Sequence, residues 1–120
     1  MITEDYVSFK TAKLLKEKGF DENGVKLWYD ESGEMYYGCH EIKYQIKIEN
    51  HEKFFQCPTL QMVMKWLREV HNITIGITFS YGIISYEIQK NDEFITSVGS
   101  SRTYEQMSEE AIRYCLENLI

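Results

Sequence analysis

The chain is poor in several residue types, and each shortage excludes something. Proline occurs once, at Pro58, and no Ser/Gly-rich stretch appears, so nothing marks an internal boundary and residues 1–120 read as a single α+β domain. No apolar run approaches the ~20 residues that a membrane-spanning helix needs, so no membrane partner is expected. The start, Met1-Ile2-Thr3-Glu4-Asp5, lacks the basic and apolar regions of a secretory signal. Positive charge is in deficit: 19 acidic and 13 basic residues leave a net charge of −6. A polyanion binder needs a positive footprint to release counterions, so nucleic acid is not an expected partner. Residues 1–57 and 58–120 each net −3, which leaves no basic arm and no acidic tail, and no massed acidic face of the kind a DNA mimic would need. Cysteine is scarce, odd in number and widely spaced (Cys39, Cys57, Cys115), which reads as free thiols in a reducing compartment and points to a cytoplasmic protein.

What is present is a well-punctuated alternation of periods. Ser8 is placed to cap a helix running to Lys18, with Phe9, Ala12 and Leu15 on one face. Gly19 stands where a left-handed C′ residue belongs, and Phe20 where it could close a Schellman motif against Leu15. From Val25 the period falls to two. Val25–Tyr29 and Met35–Cys39 flank Asp30-Glu31-Ser32-Gly33-Glu34 as a hairpin, Ile42–Ile48 alternates as a third strand, and Phe54–Cys57 adds a short extended piece. Thr59 is the expected cap of a second helix whose buried stripe is Leu60, Val63, Leu67 and Val70, widened by Met64 and Trp66. Alternation returns over Ile73–Phe79, Ile84–Ile88 and Phe94–Val98, with turns at Tyr81-Gly82 and Asn91-Asp92. The last helix starts at Thr103, which forms a capping box with Gln106 and precedes the apolar face Met107, Ala111, Cys115 and Leu119.

The predicted order is α-βββ-α-βββ-α, with short connections that make the strands antiparallel and three amphipathic helices packed largely on one side. Ala12–Glu17 and Met64–Glu69 repeat one pattern, the trace that a duplicated αβββ unit would leave and that helix amphipathicity alone also produces. The later helix-βββ-helix portion has the order of a double-stranded-RNA-binding domain. Glu105, Glu109 and Glu110 stand where such a domain needs cations, and that activity is rejected.

The three helical segments, Tyr6–Phe20, Pro58–His71 and Ala111–Ile120, resemble a family of small uncharacterised proteins of gut anaerobic bacteria and of their phages and mobile elements. The resemblance covers the helices more closely than the strands. It implies a bacterial or phage cytoplasmic origin and assigns no activity, so it carries no site residues.

Chemistry is sparsely signalled. Cys39, His40, His51 and Cys57 share one stretch, but none of their spacings matches paired zinc ligands, and no metal site or cofactor is expected. No nucleophile elbow, zinc-protease helix, Walker loop or dinucleotide fingerprint occurs, which weighs against an enzyme. Two features remain. Gly99, Ser100, Ser101, Arg102 and Thr103 lead into the last helix and could cradle a small anion with free backbone N–H groups and one arginine, although Glu105 in the first turn opposes it. Aromatic residues make up 14% of the chain, and the strand pairs Trp28-Tyr29 and Tyr36-Tyr37 should each turn one ring outward as an interface. The leading expectation is a non-catalytic interaction protein, a homodimer through a sheet edge or the aromatic hairpin. The alternative is an anionic-ligand site or a minor enzyme at 99–103.

Overall fold

Three side-chain oxygens set the starts of the helices. Ser8, Thr59 and Thr103 are extended N-cap residues that accept from the backbone N–H groups of Thr11, Met62 and Gln106, each a donor with no partner inside its own helix. The computed structural model describes residues 4–38 and 54–120. The order over these residues is α1 (Phe9–Glu17), β1 (Leu27–Tyr29), β2 (Met35–Tyr37), β3 (Phe55–Gln56), α2 (Leu60–His71), β4 (Ile73–Ser80), β5 (Ile83–Lys90), β6 (Glu93–Ser100) and α3 (Tyr104–Asn118). This is the expected α-βββ-α-βββ-α arrangement, an α+β fold with two antiparallel three-stranded sheets. The third strand of the first group is the short piece at Phe55–Gln56; the predicted strand Ile42–Ile48 lies outside the described residues. Contacts divide the chain into two compact units, Tyr6–Pro58 and Thr59–Ile120 with Met1–Asp5.

In Tyr6–Pro58 the sheet order is β2-β1-β3. Helix α1 ends in a full Schellman closure: Gly19 has φ 89°, its N–H donates to the Lys16 carbonyl at 3.2 Å, and the Phe20 N–H donates to that of Leu15 at 2.9 Å. The β1–β2 loop is organised by one carboxylate. Asp30 Oδ1 accepts from the Ser32 N–H (2.8 Å), the Ser32 hydroxyl (2.6 Å) and the Glu34 N–H (3.0 Å), while Gly33 supplies the positive φ of 86° that the turn needs. These bonds, the Ser32 hydroxyl first, hold the Asp30 carboxyl below its ordinary range. Register places Tyr29 opposite both Met35 and Phe55, and Phe9 of α1 meets Tyr29 and Phe55 edge-on at 5.4 and 5.7 Å between ring centres.

In the second unit three eight-residue strands run in the order β4-β5-β6. Helix α2 packs on β4, α3 on β4 and β5, and the two helices touch each other. The face they cover carries Ile73, Tyr86 and Ile88, all buried; the opposite face carries Thr74, Thr78, Glu87 and Gln89, all exposed. Leu67, Ile112 and Leu116 fill the layer between sheet and helices with no exposure at all. Val70 departs from the predicted stripe and stands exposed in the last turn of α2. The helix ends there because Asn72 takes a left-handed conformation (φ 53°) and turns the chain into β4. Strand β6 runs two residues beyond the predicted Val98. A bulge opposite Ile88/Gln89 leaves Ile95 unpaired, and this shift carries Phe94 to the open face, where it is exposed.

Candidate functional site

The junction between β6 and α3 is the first place where sequence pointed to chemistry. Gly99 and Ser100 belong to β6, pairing with Ser85 and Ile84, so only Ser101 and Arg102 form the connection before Thr103 caps the helix. The capping box is complete: the Gln106 N–H donates to Thr103 Oγ1 at 3.1 Å and the Thr103 N–H donates to Gln106 Oε1 at 3.0 Å. Two donors that an anion would need are thereby engaged within the chain. Arg102 turns along the helix and pairs with Glu110. Glu110 also accepts from the hydroxyl of buried Tyr86, so one carboxylate joins β5, the connection and α3. Arg102 holds the Glu110 carboxyl below its ordinary range against the opposing effect of burial. Burial first, and the Glu110 charge second, push the Tyr86 hydroxyl up to about 12. The five residues 99–103 are thus brought together, with their most basic group committed to a carboxylate.

The aromatic pairs divide differently. Tyr29 is buried and its hydroxyl donates to the Val7 carbonyl at 2.7 Å, whereas Trp28 is half-buried. Tyr36 and Tyr37 were expected to split inward and outward, yet both are exposed, Tyr37 by 64%. Among the described residues β2 is an edge strand, and it is exposed along its length. Tyr36 is tied to its own loop through Asp30 and Glu34, and the Asp30 bond raises its hydroxyl above the ordinary range.

Between α1 and this sheet lies a pocket of about 190 Å³ lined by Leu15, Gly19, Phe20, Trp28 and Phe54, with Lys16 at its side. Its polar neighbours are occupied. Lys16 Nζ donates to the Phe54 carbonyl at 3.0 Å, and Gln56 bonds the backbone of Glu22 in both directions, at 2.7 and 3.0 Å. The hollow accommodates one side chain and falls below the roughly 300–1,000 Å³ of ordinary ligand sites.

Among the described residues Cys57 and Cys115 are buried thiols outside any disulfide, and burial pushes the Cys115 thiol up to about 12, far from the thiolate that reacts. Cys39, His40 and His51 lie outside the described residues. Among the described residues no cluster of three His, Cys, Asp or Glu groups is placed to hold a metal ion. No helix among them is long and apolar enough to cross a membrane.

The surface that sequence reasoning missed is the far end of the β4-β5-β6 sheet. Helices α2 and α3 cover the end bearing Ile73 and Ile88, and the strands continue past them. Phe79 is 72% exposed, Tyr81 in the β4–β5 turn is fully exposed, and Ile83 and Val98 are also open. Alternation alone made Phe79 the last buried position of its strand. A signal was present: no charged residue occurs from Ile73 to Tyr86, in a chain that is 27% charged. An apolar, uncharged hairpin on the surface marks an interaction site more often than a catalytic one. Compared with protein-family models, curated proteins and solved structures, the chain matches none.

Proposed function

We propose that this chain is a non-catalytic interaction protein that associates with a second copy of itself through the β4-β5-β6 sheet. The carrying observation is the uncovered end of that sheet, where Phe79, Tyr81, Ile83 and Val98 meet water. Phe79 and Val98 stand on the helix-bearing face of that end and Ile83 on the other, and each large apolar side chain moved out of water contributes roughly 1.5–3 kcal/mol, so their burial favours association. Like charge opposes contact between two copies of net charge −6 at most places on their surfaces, but not across the charge-free run from Ile73 to Tyr86. The ligand reading of residues 99–103 is weaker because Arg102 is paired with Glu110 and the cap donors are engaged. The resemblance of the helices supports a bacterial or phage cytoplasm as the setting.

Light scattering coupled to size exclusion tests the reading. The wild-type chain is expected to approach twice its 14.3 kDa mass as concentration rises, and a Phe79→Ser/Tyr81→Ser variant to stay at 14.3 kDa. A wild-type protein that remains at the single-chain mass at every concentration ends the proposal.

A further inference from the structure

Resting on that self-association, we infer that the two copies join by antiparallel pairing of β4 with β4, about a two-fold axis passing through Gly76. β4 is an edge strand among the described residues, eight residues long, with neither charge nor proline to block addition of another strand. The β4–β5 connection is the two-residue turn Tyr81-Gly82, both at positive φ, so Ser80 and Ile83 form the hydrogen-bonded pair that closes the hairpin. Counting back along the unbroken β4–β5 register, Thr74, Gly76 and Thr78 direct their backbone groups at β5. Ile73, Ile75, Ile77 and Phe79 direct theirs outward, toward an added strand. Only residues of this outward set can bond one another across a new ladder. That requirement also keeps the covered face of one copy on the same side as the covered face of the other.

The sequence of β4 then selects the register. Ile73-Thr74-Ile75-Gly76-Ile77-Thr78-Phe79 reads almost the same in both directions from Gly76. Pairing about that glycine sets Thr74 opposite the partner's Thr78, Ile75 opposite the partner's Ile77, and Phe79 opposite the partner's Ile73. Threonine meets threonine on the wet face, and aliphatic or aromatic side chains meet on the covered face, the cross-strand pairs that stabilise a ladder. Seven residues of each strand pair, with about eight new backbone hydrogen bonds.

This arrangement also accounts for the sheet extending past its helices. Antiparallel pairing lays the uncovered end of one copy beside the covered end of the other. Phe79, 72% exposed in the single chain, comes to rest next to the partner's Ile73, which lies beneath that copy's helices. Val70, exposed in the last turn of α2 just before Ile73, belongs to the same end and offers a further apolar neighbour.

Cysteine cross-linking reads the register directly. At Gly76 an added Cβ has nothing within 4 Å, so Gly76→Cys leaves the single chain undisturbed. On the inferred axis the two residues face each other as a non-hydrogen-bonded pair with Cα atoms ~4.5 Å apart, within disulfide range. Thr74→Cys and Thr78→Cys each lie four residues from their own copy, roughly 13 Å apart, and cannot bridge. Under mild copper-phenanthroline oxidation, Gly76→Cys is expected to run as a covalent dimer on a non-reducing gel. Wild type, Thr74→Cys alone and Thr78→Cys alone should not, while a mixture of the last two should. Charge provides the second measurement: Thr74→Lys/Thr78→Lys should fall to the single-chain mass by light scattering, and Thr74→Lys/Thr78→Glu should keep the doubled mass. A doubled wild-type mass without the Gly76→Cys cross-link overturns this register and leaves self-association standing; a single-chain mass throughout overturns both.

Discussion

The two compact units both open on a helix followed by three strands, the second adding α3, and are held together by different means. Each starts with a capped helix and continues through three antiparallel strands. Among the described residues of Tyr6–Pro58 the strands are only three, three and two residues long, too short for backbone pairing to define the sheet alone. Side chains supply what the ladder lacks: the Phe9 ring against Tyr29 and Phe55, the Tyr29 hydroxyl on the Val7 carbonyl, Lys16 on Phe54, and Gln56 on Glu22. In the second unit eight-residue strands pair along nearly their whole length, and Leu67, Ile112 and Leu116 of the helices pack with Ile73 and Ile88 of the strands in an aliphatic layer. A helix followed by three strands therefore tolerates two solutions, polar and aromatic bonding over a small sheet or, with α3 added, aliphatic packing on a large one. The second leaves surplus sheet, and the surplus is where the proposed interface lies.

The largest expected effect tests the aliphatic side of this contrast. Ile112→Ala removes a fully buried side chain from between α3 and its sheet, and should cost roughly 2–5 kcal/mol in urea unfolding followed by circular dichroism. A loss below about 1 kcal/mol would mean that the layer relaxes around the hole and is not close-packed. The next effect tests the bonded side. Tyr29→Phe keeps the ring edge-on to Phe9 and deletes only the hydroxyl that donates to Val7 at 2.7 Å, a change expected to cost roughly 1–3 kcal/mol. Were this variant as stable as wild type, the claim that side-chain hydrogen bonds hold the first unit would have to be withdrawn.

The contrast also governs what could be read from the sequence. Caps and closures were legible to the residue, because Ser8, Thr59, Thr103 with Gln106, and Gly19 with Phe20 act through neighbours within four or five positions along the chain. Alternation in β4 and β5 was legible for the same reason. The burial of Val70 and Phe79 was not, since each satisfies its local pattern but lies beyond the element meant to cover it, a fact set by where α2 ends on the sheet. Phe94 escaped prediction because one bulged residue inverts its face. At the candidate anion loop the composition of 99–103 was legible but not the eight-residue reach from Arg102 to Glu110 that occupies its charge. The two parts of α1 and α2 that repeat one pattern, Ala12–Glu17 and Met64–Glu69, carry matching buried positions at Ala12 and Leu15 and at Met64 and Leu67. That correspondence follows from any helix lying on a sheet, and the unequal strands that follow give it no further support.

The smallest effect concerns a polar network of the aliphatic unit, Tyr86–Glu110–Arg102. Arg102 and then Tyr86 stabilise the ionised Glu110 carboxyl, so its folded-state pKa lies below the ordinary 4.5. A carboxyl depressed on folding contributes stability that is fully present above its unfolded pKa and is lost as pH falls through the folded value. Both partners are partly open to water, the side chains of Arg102 and Glu110 being 43% and 30% exposed, which screens the pair and limits its worth to roughly 0.2–1 kcal/mol. Glu110→Gln should therefore lower stability slightly at pH 7 and leave it nearly unchanged well below pH 4, so that the gap between variant and wild type closes on acidification. Thermal unfolding of the two proteins from pH 7 down to pH 3 measures that gap. A gap that stays constant across the range would assign Glu110 a packing role and leave Tyr86 held by burial alone; a gap of several kcal/mol would make the second unit depend on a polar bond as the first does, and dissolve the distinction between them.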